Sequence, residues 1–450
     1  MWKFLLDRQC AIGEIPDDRW NADAFYSPIA EATGFSRSKW GGFIDRVFDF
    51  DCEFFDISPA EAQRLDPQQR MLLHIAYEAI QDSGQTLSSM SAATTGVFVG
   101  ISTSDFAGVL RYRNRNDDLW GGSGCALSIA ANRISHRLNL KGPSFPVDTA
   151  CSSALIAIDQ ACRNIATGMC DQAIAGGVNL LFEPNQFIAF SNANMLSRTG
   201  RISTFDAAAN GYVRSEGCGL AILRPLENAI ADGDRIYAVI SATAANQDGW
   251  TSTLMAPAMK AQEAMLGKLV ERAGINPGAV DYVEAHGTGT PTGDPIEAHA
   301  IGHQFGRVDR SEPVTIGSIK PNLGHMEPAA GAAGFIKTVL CVHHGMVPPN
   351  IHIENPNPAI PFDALNIQVP VEPQPIGRNG KTRYGVVNSF GWGGANASAL
   401  VRSFDEAPKT RRSSRAKPAN GGDPEITVVP LSAHSRDALV RWSAHLADNL

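Results

Sequence analysis

Residues 147–155 read VDTACSSAL, and Cys151 stands at the joint of two differently patterned segments. Upstream, Gly142 and Pro143 break the chain, and Ser144–Val147 (SFPV) forms a short extended run into the turn. Downstream, Ala154, Leu155, Ile158, Cys162 and Ile165 recur at the spacing of one helical face, while Asp159, Gln160, Arg163 and Asn164 occupy the other. A strand therefore passes into an amphipathic helix that begins at about Ser152. A thiol there faces unpaired backbone N–H groups and the positive end of the helix dipole, and both favour the reactive thiolate. A lone cysteine in a globular chain is more often a buried packing residue, so the case for chemistry depends on its surroundings.

The strand-then-helix pattern extends in both directions. Asp66 and Pro67 supply the N-cap and first position of a helix over 66–84 (DPQQRMLLHIAYEAIQDSG), with Met71, Leu72, Ile75, Ala76 and Ile80 as its buried face and Gly84 as its end. Residues 95–101 (TGVFVGI) are apolar almost throughout, as a strand buried on both faces requires. Residues 170–181 (CDQAIAGGVNLL) supply another strand, whose paired glycines admit a close neighbour. A Gly-rich polar loop covers 201–219 (RISTFDAAANGYVRSEGCG); strands at 219–223 and 235–245 and a helix at 260–273 follow. Ahead of all these, 2–15 reads as a short helix and a loop, and 17–28 has no clear period. Alternation over some four hundred residues argues for an α/β body. After Val401 the composition changes: 404–425 is a polar, basic linker, and 426–450 opens a second unit with a strand at 426–431 and a helix at 437–450.

With 450 residues, 44% hydrophobic and 19% charged, the chain can bury a large core. A net charge of −8 gives no overall basic footprint for nucleic acid. The eight cysteines, at 10, 52, 125, 151, 162, 170, 218 and 341, show no CxxC or metal-ligand pairing, so neither a disulfide framework nor a metal site is expected, and a reducing cytoplasmic setting fits. The opening MWKFLLDRQC lacks the apolar run of a secretory signal, and no segment holds the roughly 18 uninterrupted apolar residues of a spanning helix.

Two histidines follow short apolar strands beside Gly-rich turns. In VEAHGTGTPTGDPIEA, His286 ends the strand, Gly287, Gly289 and Gly293 make the turn, and Asp294, Pro295 and Glu297 have the grammar of an N-cap, first-position proline and third-position acid. In IGSIKPNLGHMEPAAGAAG, His325 precedes a helix of small residues. Imidazoles donate hydrogen bonds to a thioester carbonyl or accept a proton near neutral pH. A fourth stretch, VVNSFGWGGANA at 386–397, runs a strand into a tight turn whose N–H groups could meet a developing oxyanion. His299 and His303, four apart on a helix, have metal-ligand spacing without a third partner, and an exposed helix face is the simpler account.

VDTACSSAL, EAHGTGT with GDPIEA, SIKPNLGH and NSFGWGGAN, in this order, resemble the signature of the β-ketoacyl synthase domains of type I polyketide and fatty acid synthases. DPQQRMLL and FDAAANGYVRSEGCG resemble that family too, and the likeness runs from Met1 to about Val401. It implies a thiolase-like fold, in which two related α/β halves stack sheets between helix layers, and a homodimer. It implies decarboxylative Claisen condensation: Cys151 takes an acyl group from the phosphopantetheine of an acyl carrier protein, and His286 and His325 hold a malonyl thioester as it loses CO2. No cofactor is expected on the chain itself. By the same resemblance the backbone N–H groups of Cys151 and Trp392 form the oxyanion hole, and Lys320, Asn322 and Glu327 support the histidines. Thr288 and Thr290 meet the pantetheine arm, and Phe390 and Trp392 contact substrate.

The chain departs from the pattern in three places. The family's opening strand and Gly turn are absent before Met1, Trp392 replaces the usual Phe and should narrow the acyl channel, and Ala395 replaces the usual Thr. Residues 426–450 resemble the linker to a following acyltransferase domain, the expected neighbour in a longer chain. Three other readings stand beside this one. A thiolase needs a second cysteine at the Gly-rich turn, which FGWGG lacks. A hydrolase could use Cys151, His286 and Asn322. A non-elongating domain would bind carrier protein without catalysis.

Overall fold

The computed structural model describes residues 1–29, 33–113, 118–377, 381–404, 431, 433 and 435–449. The expected linker beyond Phe404 and the strand expected at 426–431, apart from Leu431, lie outside them. The terminal helix is observed at Arg436–Asn449.

Apolar runs build two sheets. The first holds β1 (Thr95–Gly100), β2 (Ser144–Val147), β3 (Gln172–Asn179) and β4 (Gly217–Leu223), in the order β2-β1-β3-β4. The second holds β5 (Ala238–Gln247), β6 (Tyr282–Glu284), β7 (Val314–Gly317), β8 (Ile367–Gln368), β9 (Tyr384–Phe390) and β10 (Ala395–Ser403), in the order β8-β7-β6-β9-β10-β5. Four strands of each sheet correspond. β2-β1-β3 and β7-β6-β9 are parallel, and each set ends on an antiparallel strand, β4 or β10. In the second sheet β5 covers the far edge of β10. The matching edge of β4 has no strand on it among the described residues, and a groove of about 690 Å³ runs beside it, lined by Ile222, Tyr237, Ile336 and Val339.

Five helices complete the layers: α1 (Pro67–Asp82), α2 (Ser153–Ala166), α3 (Met259–Ala273), α4 (Gly293–Ile301) and α5 (Ala330–His344). The two-residue period of the strands sorts their side chains between layers. Val97, Val99 and Ile174 turn outward onto Leu72, Leu73 and Ile80 of α1. Phe98, Ala173 and Ala175 turn inward onto Leu155 and Ile158 of α2, and Val387, Ala399 and Val401 of the second sheet join that same cluster with Phe335 of α5. Val386 and Leu400 turn outward onto Leu266 and Leu269 of α3. Helices thus lie outside and between the sheets, the stacked and duplicated α/β architecture that the resemblance implies.

The central layer is tight because glycines face it. A Cβ on Gly177 would stand 2.9 Å from both the Ala154 Cβ and the Pro328 carbonyl oxygen, so the second of the paired glycines in β3 lets α2 and the turn before α5 reach the sheet. Asp66 caps α1 as expected, its carboxylate accepting from the Gln68 N–H at 2.8 Å, and Gly84 follows with φ +81°. Met71 and Ile75 are only partly buried, and Leu73 takes the place expected of them.

Two local expectations are corrected. Asp159 is not on a solvated face: it is 2% exposed and accepts from Thr243 Oγ1 at 2.6 Å and from Arg163, because β5 covers that side of α2. Asp294 and Glu297 do not cap α4, which starts one residue before Asp294; Asp294 accepts from the backbone of Phe205 and Gly289, and Glu297 from the backbone of His286 and Gly287.

Candidate active site

Cys151 does not occupy a helix terminus proper but a 3-10 turn, Ala150–Ser152, inserted between β2 and α2. Ala150 has φ +55°, a left-handed conformation costly for a residue with a Cβ. The turn is pinned from both sides. Ser152 Oγ donates to the Thr149 carbonyl at 2.9 Å, and Ser389 Oγ of β9 donates to the Cys151 carbonyl at 2.7 Å. At Gly391 a Cβ would come within 2.4 Å of the Thr149 oxygen, so the FGWGG turn closes directly on the cysteine turn.

The duplicated topology brings the remaining stretches to the same end of the molecule. Cys151 follows β2, His286 follows β6, His325 follows β7 by way of the short helix Lys320–Leu323, and Trp392 follows β9. Cys151, His286, His325, Thr288, Phe390 and Trp392 line one cavity of about 490 Å³, and Thr290 and Glu327 line it too. The two imidazoles meet edge to face at 5.4 Å, and Phe390 lies 5.5 Å from His286. Thr288 and Thr290 share a hydroxyl contact of 3.1 Å. Trp392 is 45% exposed, its ring edge-on to Phe190 at 5.4 Å, so the indole forms part of the wall.

His325 is held on every side. Its backbone pairs with Val213 and Ser215, its ring packs against Tyr212 at 5.0 Å, and its Nδ1 accepts from the Glu327 N–H at 3.1 Å. That last bond fixes the tautomer: Nδ1 is an acceptor, so Nε2 carries the proton. The Nδ1 of His286 has no hydrogen-bond partner among the described residues, although that atom is buried.

Electrostatics reverse one expectation. Burial pushes the Cys151 thiol up to about 12, with the nearby Glu327 carboxylate adding to the shift; Lys320 and the N–H groups of Trp392 and Cys151 itself oppose it. The thiol at rest is protonated, not the thiolate that the helix terminus suggested, because desolvation outweighs the dipole. Burial also holds both imidazoles well below the usual histidine range, and Lys320 reinforces it, so both rings are neutral.

The expected supporting residues divide. The ammonium of Lys320 is buried and lies close enough to both histidines to disfavour their charged forms. Glu327 supports His325 through its backbone, while its carboxylate pairs with Arg214 at 2.5 Å. Asn322 is a correction: its side-chain amide donates to the Gln9 carbonyl at 2.9 Å and its backbone carbonyl accepts from the Ala11 N–H, so it ties down the N-terminal segment rather than a histidine. His299 and His303 each have a partner of their own. His303 meets Glu263 at 2.5 Å, His299 turns back to the Pro295 carbonyl, and the described residues hold no group of three or more metal-binding side chains.

Three residues escape a reading of local pattern. Arg214, fully buried, carries Glu327 and lies over the rings of Phe187 and Phe190. Glu284 accepts from the Ile319 N–H at 2.7 Å and pairs with Lys337 at 2.8 Å, holding the segment that leads to Lys320. Glu297 fixes the backbone of His286. Each partner is distant in sequence; only the charge of a residue inside an apolar stretch, as in VEAH and YVRS, signals it.

Comparisons with known proteins agree with this geometry. Residues 1–229 match the family described as beta-ketoacyl synthase, N-terminal domain, residues 237–354 its C-terminal domain, and residues 356–450 the ketoacyl-synthetase C-terminal extension. A phenolphthiocerol/phthiocerol polyketide synthase polypeptide of Mycobacterium tuberculosis is 44% identical over 449 residues, covering 100% of this chain and 24% of that protein. A mycocerosic acid synthase-like polyketide synthase of Mycolicibacterium smegmatis is 40% identical over 450 residues, 100% of this chain and 21% of that protein. The chain thus spans about a quarter or less of these relatives. Among solved structures, an oxazolomycin ketosynthase domain of Streptomyces albus superposes with a TM-score of 0.90 at 33% identity, covering 99% of this chain and 76% of that one. The ketosynthase from module 6 of the bacillaene synthase of Bacillus subtilis gives a TM-score of 0.82 at 36% identity, covering 90% and 69%. With matches that run through both halves and meet at the cavity of Cys151, the chain belongs to the β-ketoacyl synthase family, as a ketosynthase domain of the polyketide-synthase type.

Proposed function

We propose that the chain catalyses decarboxylative Claisen condensation on substrates tethered to an acyl carrier protein. The observation that carries the proposal is the meeting of Cys151, His286 and His325 in one cavity, with the tautomer of His325 fixed. In the first half-reaction the Cys151 sulfur attacks the carbonyl carbon of an acyl thioester. Its proton passes to a neutral imidazole, and His286, whose Nδ1 is unengaged, is the ring with a lone pair to give. The N–H groups of Cys151 and Trp392 receive the oxyanion, and the carrier's thiol leaves with a proton.

In the second half-reaction a malonyl thioester enters, with Thr288 and Thr290 along the pantetheine arm and Phe390 and Trp392 walling the acyl side. The Nε2–H of His325 and an N–H of His286 hold the thioester carbonyl. When the C–C bond to the carboxylate breaks, CO2 departs and the electron pair becomes an enolate stabilised by those donors. Its carbon attacks the acyl-Cys151 carbonyl, the new C–C bond forms as the C–S bond breaks, and the cysteine leaves as a thiolate that takes a proton from solvent. Burial, reinforced by Lys320, keeps both rings neutral, and Glu327 keeps His325 oriented.

An adjacent acyltransferase and the carrier itself would lie in the longer chain that the relatives' lengths suggest. A homodimer is supported by β2, an edge strand of the first sheet whose Phe145 is 37% exposed. A reducing cytoplasmic setting is supported by eight cysteines without a disulfide, and no helix among the described residues is long and apolar enough to cross a membrane. The hydrolase reading loses its support, since Asn322 is occupied by Gln9. The test is incubation with propionyl- and malonyl-carrier protein, followed by mass spectrometry. Acyl-Cys151 and a β-ketoacyl carrier are expected; acylation followed only by free acid would favour hydrolysis, and no acylation of the folded protein would favour a non-catalytic domain.

A further inference from the structure

The cavity that holds Cys151 is also lined by Gln262, in the first turn of α3. The inward stripe of that helix is otherwise apolar: Met265, Leu266, Leu269 and Val270 are buried in the core of the second half. Gln262 continues the stripe and is 1% exposed, yet its Oε1 has no hydrogen-bond partner among the described residues. A buried amide oxygen without a donor is costly, and an apolar side chain of the same shape would avoid the cost. Like Oε1 of Gln262, Oγ1 of Thr103 and Nδ1 of His286 in this lining have no partner among the described residues, but both stand on other elements, whereas several polar groups are engaged. Asp248 accepts from Asn396 at 2.7 Å, Thr288 and Thr290 contact each other, and Asp294 accepts from two backbone N–H groups. Met255 and Pro257, just before α3, line the cavity as well, and Met255 is 51% exposed, so this wall reaches from the protein surface into the cavity.

A thioester delivered on a pantetheine arm crosses such a cavity with amide N–H groups along its length, and each needs an acceptor once water is displaced. We infer that Oε1 of Gln262 accepts a hydrogen bond from an amide N–H of the pantetheine arm, and so sets how far the thioester extends toward Cys151; the inference rests on the function proposed above. Gln262 is a binding residue for the arm and has no part in bond making at the sulfur.

The test compares two acyl donors to Cys151, propionyl-pantetheine and ethyl thiopropionate, the second having no amide. Acylation is read by mass spectrometry over a range of donor concentrations. Gln262→Met is expected to raise the half-saturating concentration of propionyl-pantetheine about tenfold, the scale of one lost hydrogen bond, with the maximal rate within about twofold. It should leave the ethyl thioester and the iodoacetamide reaction of Cys151 unchanged, which also shows the variant to be folded. An unchanged half-saturating concentration, or an equal loss with the ethyl thioester, would overturn the inference while the proposed function stands. Failure of the unsubstituted chain to acylate with either donor would overturn the proposed function, and this inference with it.

Discussion

The backbone N–H of Glu327 donates to Nδ1 of His325 across 3.1 Å, and this one bond decides which ring nitrogen faces the substrate. Glu327 makes it from a left-handed conformation, φ +47°, which its carboxylate sustains by pairing with the fully buried Arg214. Orientation of the imidazole is therefore linked to an ion pair on its other side.

Removing Arg214 should expose that link. Arg214→Met leaves the Glu327 carboxylate buried without its partner, and breaking such a pair costs on the order of 3–5 kcal/mol. Denaturant titration should show a loss of that size for Arg214→Met and a smaller one for Arg214→Met with Glu327→Gln. Equal losses would mean the pair is not coupled.

The reactivity of Cys151 should depend on pH in a particular way. A thiol pushed up to about 12 by burial has a thiolate fraction that climbs about tenfold per pH unit throughout the neutral and mildly alkaline range. Iodoacetamide alkylation of Cys151, followed from pH 6.5 to 9.5, should rise steadily without levelling. A plateau below pH 8 would mean that the local N–H groups and Lys320 outweigh burial after all.

Asn322 separates two mechanisms. Asn322→Ala should leave the rate of Cys151 acylation within about threefold of the unsubstituted protein and increase hydrogen exchange at residues near Gln9, whose carbonyl the side chain holds. A collapse of acylation with unaltered exchange would restore a catalytic role for the amide.

Packing between β3 and α2 offers a structural test. Gly177→Ala places a methyl 2.9 Å from both Ala154 and the Pro328 carbonyl, and overpacking of this kind costs about 1–3 kcal/mol. Because Ala154 opens α2 and Pro328 follows the His325 loop, acylation should fall along with the melting temperature. Unchanged stability would show that this layer has slack.

Strands β1 and β3 are legible because they are buried on both faces: TGVFVG and QAIAGGVN leave little else to be. The site was legible through glycine turns at strand ends, which place Cys151, His286, His325 and Trp392 by topology alone. What pattern could not supply is long-range bonding. DPIE at 294–297 has the letters of a helix cap, yet its carboxylates serve the loops of Phe205 and His286. Asp159 occupies a polar position on a helix that β5 happens to cover. Asn322 stands two residues after Lys320 but faces the N-terminal segment, and the charge state of Cys151 follows from desolvation of its sulfur, which no local spacing measures.

Division of labour between the sulfur and the imidazoles is the core of the account, and one measurement reaches it. Chain carrying His325→Ala is incubated with propionyl-carrier protein and then with malonyl-carrier protein labelled with ¹³C at the free carboxyl, and acyl-Cys151 and ¹³CO2 are followed together by mass spectrometry. The account predicts acyl-Cys151 at a rate within about tenfold of the unsubstituted protein and ¹³CO2 reduced at least about a hundredfold, the scale of one lost transition-state donor. Undiminished ¹³CO2 release would contradict it.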